Sequence, residues 1–117
     1  MLSRKYVMLV EDDSTIAALW EYAVQSAGAT LLGPFATAEE ALSSLSNRRP
    51  DAAILDVQLL DGTSFTVAHQ LKAQSIPFVF ISGTDAQNVP NDLWGSPYML
   101  KPVGVRELIS SIKNLLS

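Results

Sequence analysis

Five short, almost wholly apolar runs recur along the chain, separated by stretches of helical period. They are "YVMLV" at 6–10, "TLLGPF" at 30–35, "AAILDV" at 52–57, "IPFVFIS" at 76–82 and "YML" at 98–100. A strand with one wet face alternates apolar and polar residues. A strand apolar throughout must be covered on both faces, which points to a parallel sheet with helices above and below.

The intervening stretches supply those helices. In 14–27, Ile16, Leu19, Trp20, Ala23, Val24 and Ala27 fall on one helical face, and Gly28 follows as a stop. Thr37 and Glu40 have capping-box spacing ahead of Ala38, Ala41, Leu42 and Leu45. A third helix is expected over 64–74 and a last one over 105–117. Asp61-Gly62 marks a turn. Residues 83–97 are rich in Gly, Pro and Asn, so a helix there should be short. Pro34, lacking an N–H, suits an edge strand. The order βαβαβαβ(α)βα, with right-handed crossovers, gives a doubly wound α/β fold in one domain.

Composition narrows the chemistry. With 117 residues and 48% hydrophobic content, a packed core is expected. A net charge of −4 argues against a basic nucleic-acid footprint. The absence of cysteine excludes thiolate chemistry and disulfides, and a single histidine, His69, cannot build a histidine metal site. Only Tyr6–Val10 stands uncharged between Lys5 and Glu11, too short for a secretory core, and no run approaches a membrane span. A cytoplasmic protein without membrane or direct nucleic-acid contact is expected.

Open parallel sheets bind ligands beyond the carboxyl ends of their strands. The residues ending the strands are Glu11 and Asp12, then Asp56, Ser82 and Lys101. Crowded carboxylates need a counter-charge. Oxygen-only ligands select a hard cation such as Mg²⁺. A lysine and a hydroxyl suit phosphoryl oxygens, and a carboxylate can itself take a phosphoryl group. The set fits Mg²⁺-assisted phosphoryl transfer to an aspartate. Asp13 with Ser14 reads as a helix cap. Asp61 reads as a turn residue, His69 as a solvated helix residue and Trp20 as core. Trp94 is either a packing plug or a partner contact.

The pieces "LVEDD" at 9–13, "ILDVQLLDG" at 54–62, "FISG" at 80–83 and "YMLKP" at 98–102 resemble, in that order, a CheY-like response regulator receiver domain of bacterial two-component phosphorelays. The resemblance covers nearly the whole chain. It implies a flavodoxin-like five-stranded sheet of order 2-1-3-4-5 and a single receiver domain over 1–117 without an output domain. Asp56 would be the phosphoacceptor. Asp12, Asp56 and the Gln58 backbone carbonyl would hold Mg²⁺, with Mn²⁺ able to substitute, and Glu11 would act through water. Ser82 and Lys101 would stabilise the phosphoryl group, Tyr98 with Ser82 would form the switch, and a cis bond before Pro102 would aim Lys101.

The implied partners are a histidine kinase or histidine phosphotransfer protein, a downstream protein target, and a second copy in a phosphorylation-dependent homodimer. Such a domain is a regulatory phosphoacceptor rather than an enzyme in the ordinary sense. Gln58 and Thr84 occupy positions that tune phosphate lifetime in this family. The chain departs from the pattern at Leu59-Leu60, where Met-Pro is usual, at Ser82 for Thr, and at Gly83 for Ala. The span from Ser82 to Lys101 is also short. Two other readings stand beside this one. A degenerate receiver would act as a phosphorylation-independent interaction module. A haloacid-dehalogenase-like phosphatase is suggested by "LDVQLLDGT", although Asp56 and Asp61 stand five apart rather than two.

Overall fold

The computed structural model describes residues 4–84 and 89–117. Its elements run β1 (Tyr6–Val10), α1 (Ser14–Ser26), β2 (Thr30–Phe35), α2 (Ala38–Asn47), β3 (Ala52–Asp56), β4 (Gln58–Leu59), β5 (Gly62–Thr63), α3 (Phe65–Ala73), β6 (Phe78–Ser82), β7 (Tyr98–Leu100) and α4 (Val105–Leu116). The five long strands form one parallel sheet of order β2-β1-β3-β6-β7. Counted without the two-residue β4 and β5, this is the expected order 2-1-3-4-5.

Period-two alternation sorts each central strand's side chains onto two covered faces. Met8, Val10, Ala53, Leu55, Phe78 and Phe80 point to one face, where α2 and α3 contribute Ala41, Leu45, Val67, Ala68 and Leu71. Val7, Leu9, Ile54, Val79 and Ile81 point to the other, against Ala17, Trp20, Ala23 and Val24 of α1 and Leu108 and Ile112 of α4. Burial on both faces is why these strands carry no polar alternation. Trp20, read as core, is buried.

Helix ends follow local chemistry. Asp13 Oδ1 accepts from the Thr15 and Ile16 amides and starts α1. Gly28, at φ 90°, takes the left-handed conformation just past its end. Thr37 Oγ1 accepts from the Glu40 amide and starts α2.

Two local features differ from expectation. Around Asp61-Gly62, read as a turn, residues 58–63 form a small antiparallel hairpin pairing Gln58 with Thr63 and Leu59 with Gly62. Edge strand β2 contains a cis Gly33–Pro34 bond and a register shift opposite Met8–Val10. In the 83–97 segment the described residues contain only one 3-10 turn, Asn91–Leu93; residues 85–88 of that segment lie outside the described set.

Candidate functional site

The carboxyl ends of β1, β3, β6 and β7 bring the sequence-selected residues to one edge. Glu11 follows β1 and is 2% exposed; Asp56 ends β3 at 4%; Ser82 ends β6 at 1%. Asp12 is half-buried. Carboxylate oxygens of Glu11, Asp12 and Asp56 all lie within 4.8 Å of one another, close enough to share one cation.

Lys101, directly after β7, reaches across the sheet edge into this cluster. Its Nζ lies 2.9 Å from Glu11 Oε1 and donates to Asp56 Oδ2 at 3.1 Å. The contact with Glu11 is an ion pair by distance, but Oε1 completes no hydrogen bond. The other Glu11 oxygen accepts from the Asp13 amide at 3.1 Å. Lys101 Nζ also lies 5.6 Å from the centroid of the Trp20 ring, and the peptide bond to Pro102 is cis.

The electrostatics record three acids served by one cation. Burial and the adjacent Asp56 carboxyl push Glu11 above its ordinary pKa, although Lys101 and the Asp13 amide pull the other way. Partial burial and the Glu11 carboxylate raise Asp12. For Lys101, burial works to lower the pKa, but Glu11 and Asp56 outweigh it and hold the ammonium above its usual value. Three carboxylates whose oxygens lie within 4.8 Å of one another, with one ammonium against two of them, fit a hard divalent cation. The amide of Gln58 donates to Asp56 Oδ1 at 3.4 Å.

Ser82 Oγ lies 3.3 Å from Thr84 Oγ1 and accepts from the Thr84 amide at 3.3 Å. Tyr98 is half-buried, and its hydroxyl donates to the Thr84 carbonyl at 2.7 Å. Its ring packs against Phe80, with centroids 6.0 Å apart. A cleft of about 180 Å³ lined by Gln58, Thr63, Phe65, Thr84 and Tyr98 opens there. A larger cleft of about 540 Å³ lies at the opposite end of the sheet, near Phe78, and contains none of these groups. Chemistry rather than volume marks the site.

Two side chains read as bland have partners that the sequence did not disclose. His69, read as a solvated helix residue, has Nε2 2.7 Å from Asp92 Oδ2. Asp61, taken as a turn residue, accepts from the amides of Ala38 at 2.9 Å and Glu39 at 3.3 Å. Its carboxylate is therefore occupied at the start of α2, which removes the second acid that a dehalogenase-like phosphatase reading requires. Trp94 is 67% exposed, with its indole N–H donated to the Val89 carbonyl.

A doubly wound sheet with a lysine held among acids at its carboxyl edge defines a class of site, and relatives share the whole frame. Residues 7–113 match the response regulator receiver domain, and the chain belongs to that family of two-component systems. Transcriptional regulatory protein PrrA of Mycobacterium bovis is 30% identical over 115 residues, covering 94% of this chain and 49% of that protein. The alkaline phosphatase synthesis transcriptional regulatory protein PhoP of Bacillus subtilis is 27% identical, covering 96% and 48%. The chain thus spans about half the length of these curated relatives. Among solved structures, SdrG from Sphingomonas melonis is similar with a TM-score of 0.82, 32% identity and 97% of each chain covered. A CheY-like receiver domain protein from Methanospirillum hungatei has a TM-score of 0.86 at 26% identity, covering 97% and 94%. Among the described residues, no helix is long and apolar enough to cross a membrane.

Proposed function

We propose that this chain is a phosphorylation-controlled signalling switch whose phosphoacceptor is Asp56. The supporting observation is the position of Lys101 Nζ, within 3.1 Å of an oxygen of both Glu11 and Asp56. An Asp56 carboxylate oxygen attacks the phosphorus of a phosphohistidine on a histidine kinase or phosphotransfer protein. The P–N bond breaks, its electron pair returns to the imidazole nitrogen, and an acyl phosphate forms on Asp56. Transfer through a loose transition state asks the protein mainly for positioning and charge neutralisation.

Lys101 meets the incoming phosphoryl oxygens as a point charge, and the Ser82 hydroxyl donates to another. Asp12, Asp56 and the Gln58 carbonyl are the candidate Mg²⁺ ligands, with Glu11 acting through water. A bound divalent cation supplies charge neutralisation between the acids and the phosphoryl oxygens. Ser82, drawn toward the phosphate, leaves Thr84, whose carbonyl is tied to the Tyr98 hydroxyl. That link carries the signal to Tyr98 and to a downstream protein target.

The test is incubation with acetyl phosphate and Mg²⁺, read by intact-mass spectrometry and peptide mapping. The expected result is one phosphoryl adduct on Asp56, absent in Asp56→Asn and without Mg²⁺. An unmodified wild-type chain overturns the proposal.

A further inference from the structure

We infer that Asp61 is a positioning residue for the divalent-cation site, tying the hairpin that carries Gln58 to the same junction that holds Glu11. The inference rests on the reading of Asp12, Asp56 and Gln58 as cation ligands.

Residues 35–39, from the end of β2 into the first turn of α2, touch both halves of the acid pocket. On one side, the Phe35 carbonyl accepts from the Glu11 amide at 2.9 Å, fixing the chain where β1 ends and the acids begin. On the other, the Ala36 carbonyl accepts from the Leu60 amide at 3.4 Å, and the Asp61 carboxylate takes the Ala38 and Glu39 amides. Asp61 and Leu60 form the tip of the hairpin whose first residue is Gln58. The base of that hairpin is closed by the Ser64 amide donating to the Val57 carbonyl at 2.9 Å.

The hairpin has only two residues per strand, too few to hold a fixed attitude by its own pairing. The strongest outside contact at its tip is the charged carboxylate on two amides, since such bonds exceed neutral ones. Helix α2 gains as well. Three of its first free amides find side-chain acceptors here, Ala38 and Glu39 on Asp61 and Glu40 on Thr37. Thr37 and Asp61 therefore both cap α2, but only Asp61 also holds the hairpin. That difference separates helix capping from cation-site positioning.

The experiment measures Mg²⁺ affinity by isothermal titration calorimetry on the wild type, Asp61→Ala, Asp61→Asn and Thr37→Ala, with melting temperature and amide hydrogen exchange as structural readouts. Both Ala variants are expected to melt a few degrees lower. Only Asp61→Ala is expected to lose about tenfold in Mg²⁺ affinity, the scale of an outer-shell partner, with faster exchange at Gln58 and Leu59. Asp61→Asn, which keeps one acceptor oxygen and preserves the fold, falls between. Wild-type Mg²⁺ affinity in Asp61→Ala, or an equal loss in Thr37→Ala, overturns the inference alone. A wild-type chain that binds no Mg²⁺ overturns the cation-site reading and this inference with it.

Discussion

Lys101 Nζ lies 2.9 Å from Glu11 Oε1, and Glu11 is almost fully enclosed while the lysine side chain keeps 21% of its surface exposed. The lysine is thus the accessible half of a pair whose other half has no water to turn to. Removing it strands a buried carboxylate next to a second one, Asp56.

Replacing Lys101 by Met is therefore expected to destabilise the metal-free protein by about 2–3 kcal/mol, below the full loss for a completely buried pair because the lysine is partly wet. Chemical denaturation measures this. Added Mg²⁺ is expected to restore much of the loss, because the cation supplies the missing positive charge. An equal loss with and without Mg²⁺ would show that Lys101 acts through packing on Trp20 rather than through charge.

Asp12 makes the opposite case. Burial and the Glu11 carboxylate raise its pKa, which means that its charge is disfavoured in the folded protein without metal. Asp12→Asn is expected to raise the metal-free melting temperature and to remove the further rise that Mg²⁺ gives the wild type. Differential scanning calorimetry at neutral pH, with EDTA and then with Mg²⁺, reads both. A lowered metal-free melting temperature would count against crowded acids at this edge.

The fold and much of the edge were legible because their signals are local. Apolar runs such as Ala52–Leu55 announce double burial, and the residue after each run falls at the carboxyl edge by topology alone. The features that escaped are contacts between segments far apart in sequence. Asp61 bonds amides 23 residues earlier. His69 meets Asp92 across the gap between α3 and the 3-10 turn. No spacing rule encodes such encounters, since they depend on how α3 and its neighbours pack. The β4–β5 hairpin escaped for another reason: strands of two residues leave no periodicity to read.

The His69–Asp92 pair predicts a pH response. The His69 hydrogen bond holds the Asp92 carboxyl below its ordinary value. A depressed carboxyl contributes stability that is present above its unfolded value near 3.8 and is lost as pH falls through the folded value. Wild type is therefore expected to lose stability more steeply than Asp92→Asn as pH drops below about 4. Both partners are exposed, so the difference should be small and should shrink in high salt. Urea midpoints between pH 2 and pH 6, at low and high salt, test it; parallel pH profiles would dismiss the pair as a contributor.

Two glycines beside the site give a contrast in backbone tolerance. Gly33 sits at φ 104°, and a Cβ there would lie 2.7 Å from the Leu9 carbonyl oxygen and 2.9 Å from the Phe35 amide nitrogen. Both are backbone atoms in the β1–β2 pairing, so neither can turn aside as a side chain would. At Gly83, by contrast, a Cβ would meet nothing within 4 Å. Gly33→Ala is expected to cost about 2 kcal/mol or more, from a strained left-handed residue added to the overlap. The loss should reach the acid pocket, because the Phe35 carbonyl that holds the Glu11 amide belongs to the displaced stretch. Gly83→Ala should leave stability within about 0.5 kcal/mol of wild type. Denaturation of both variants, with amide exchange at Glu11, decides the matter; a neutral Gly33→Ala would mean that β2 relaxes without moving its partner strand.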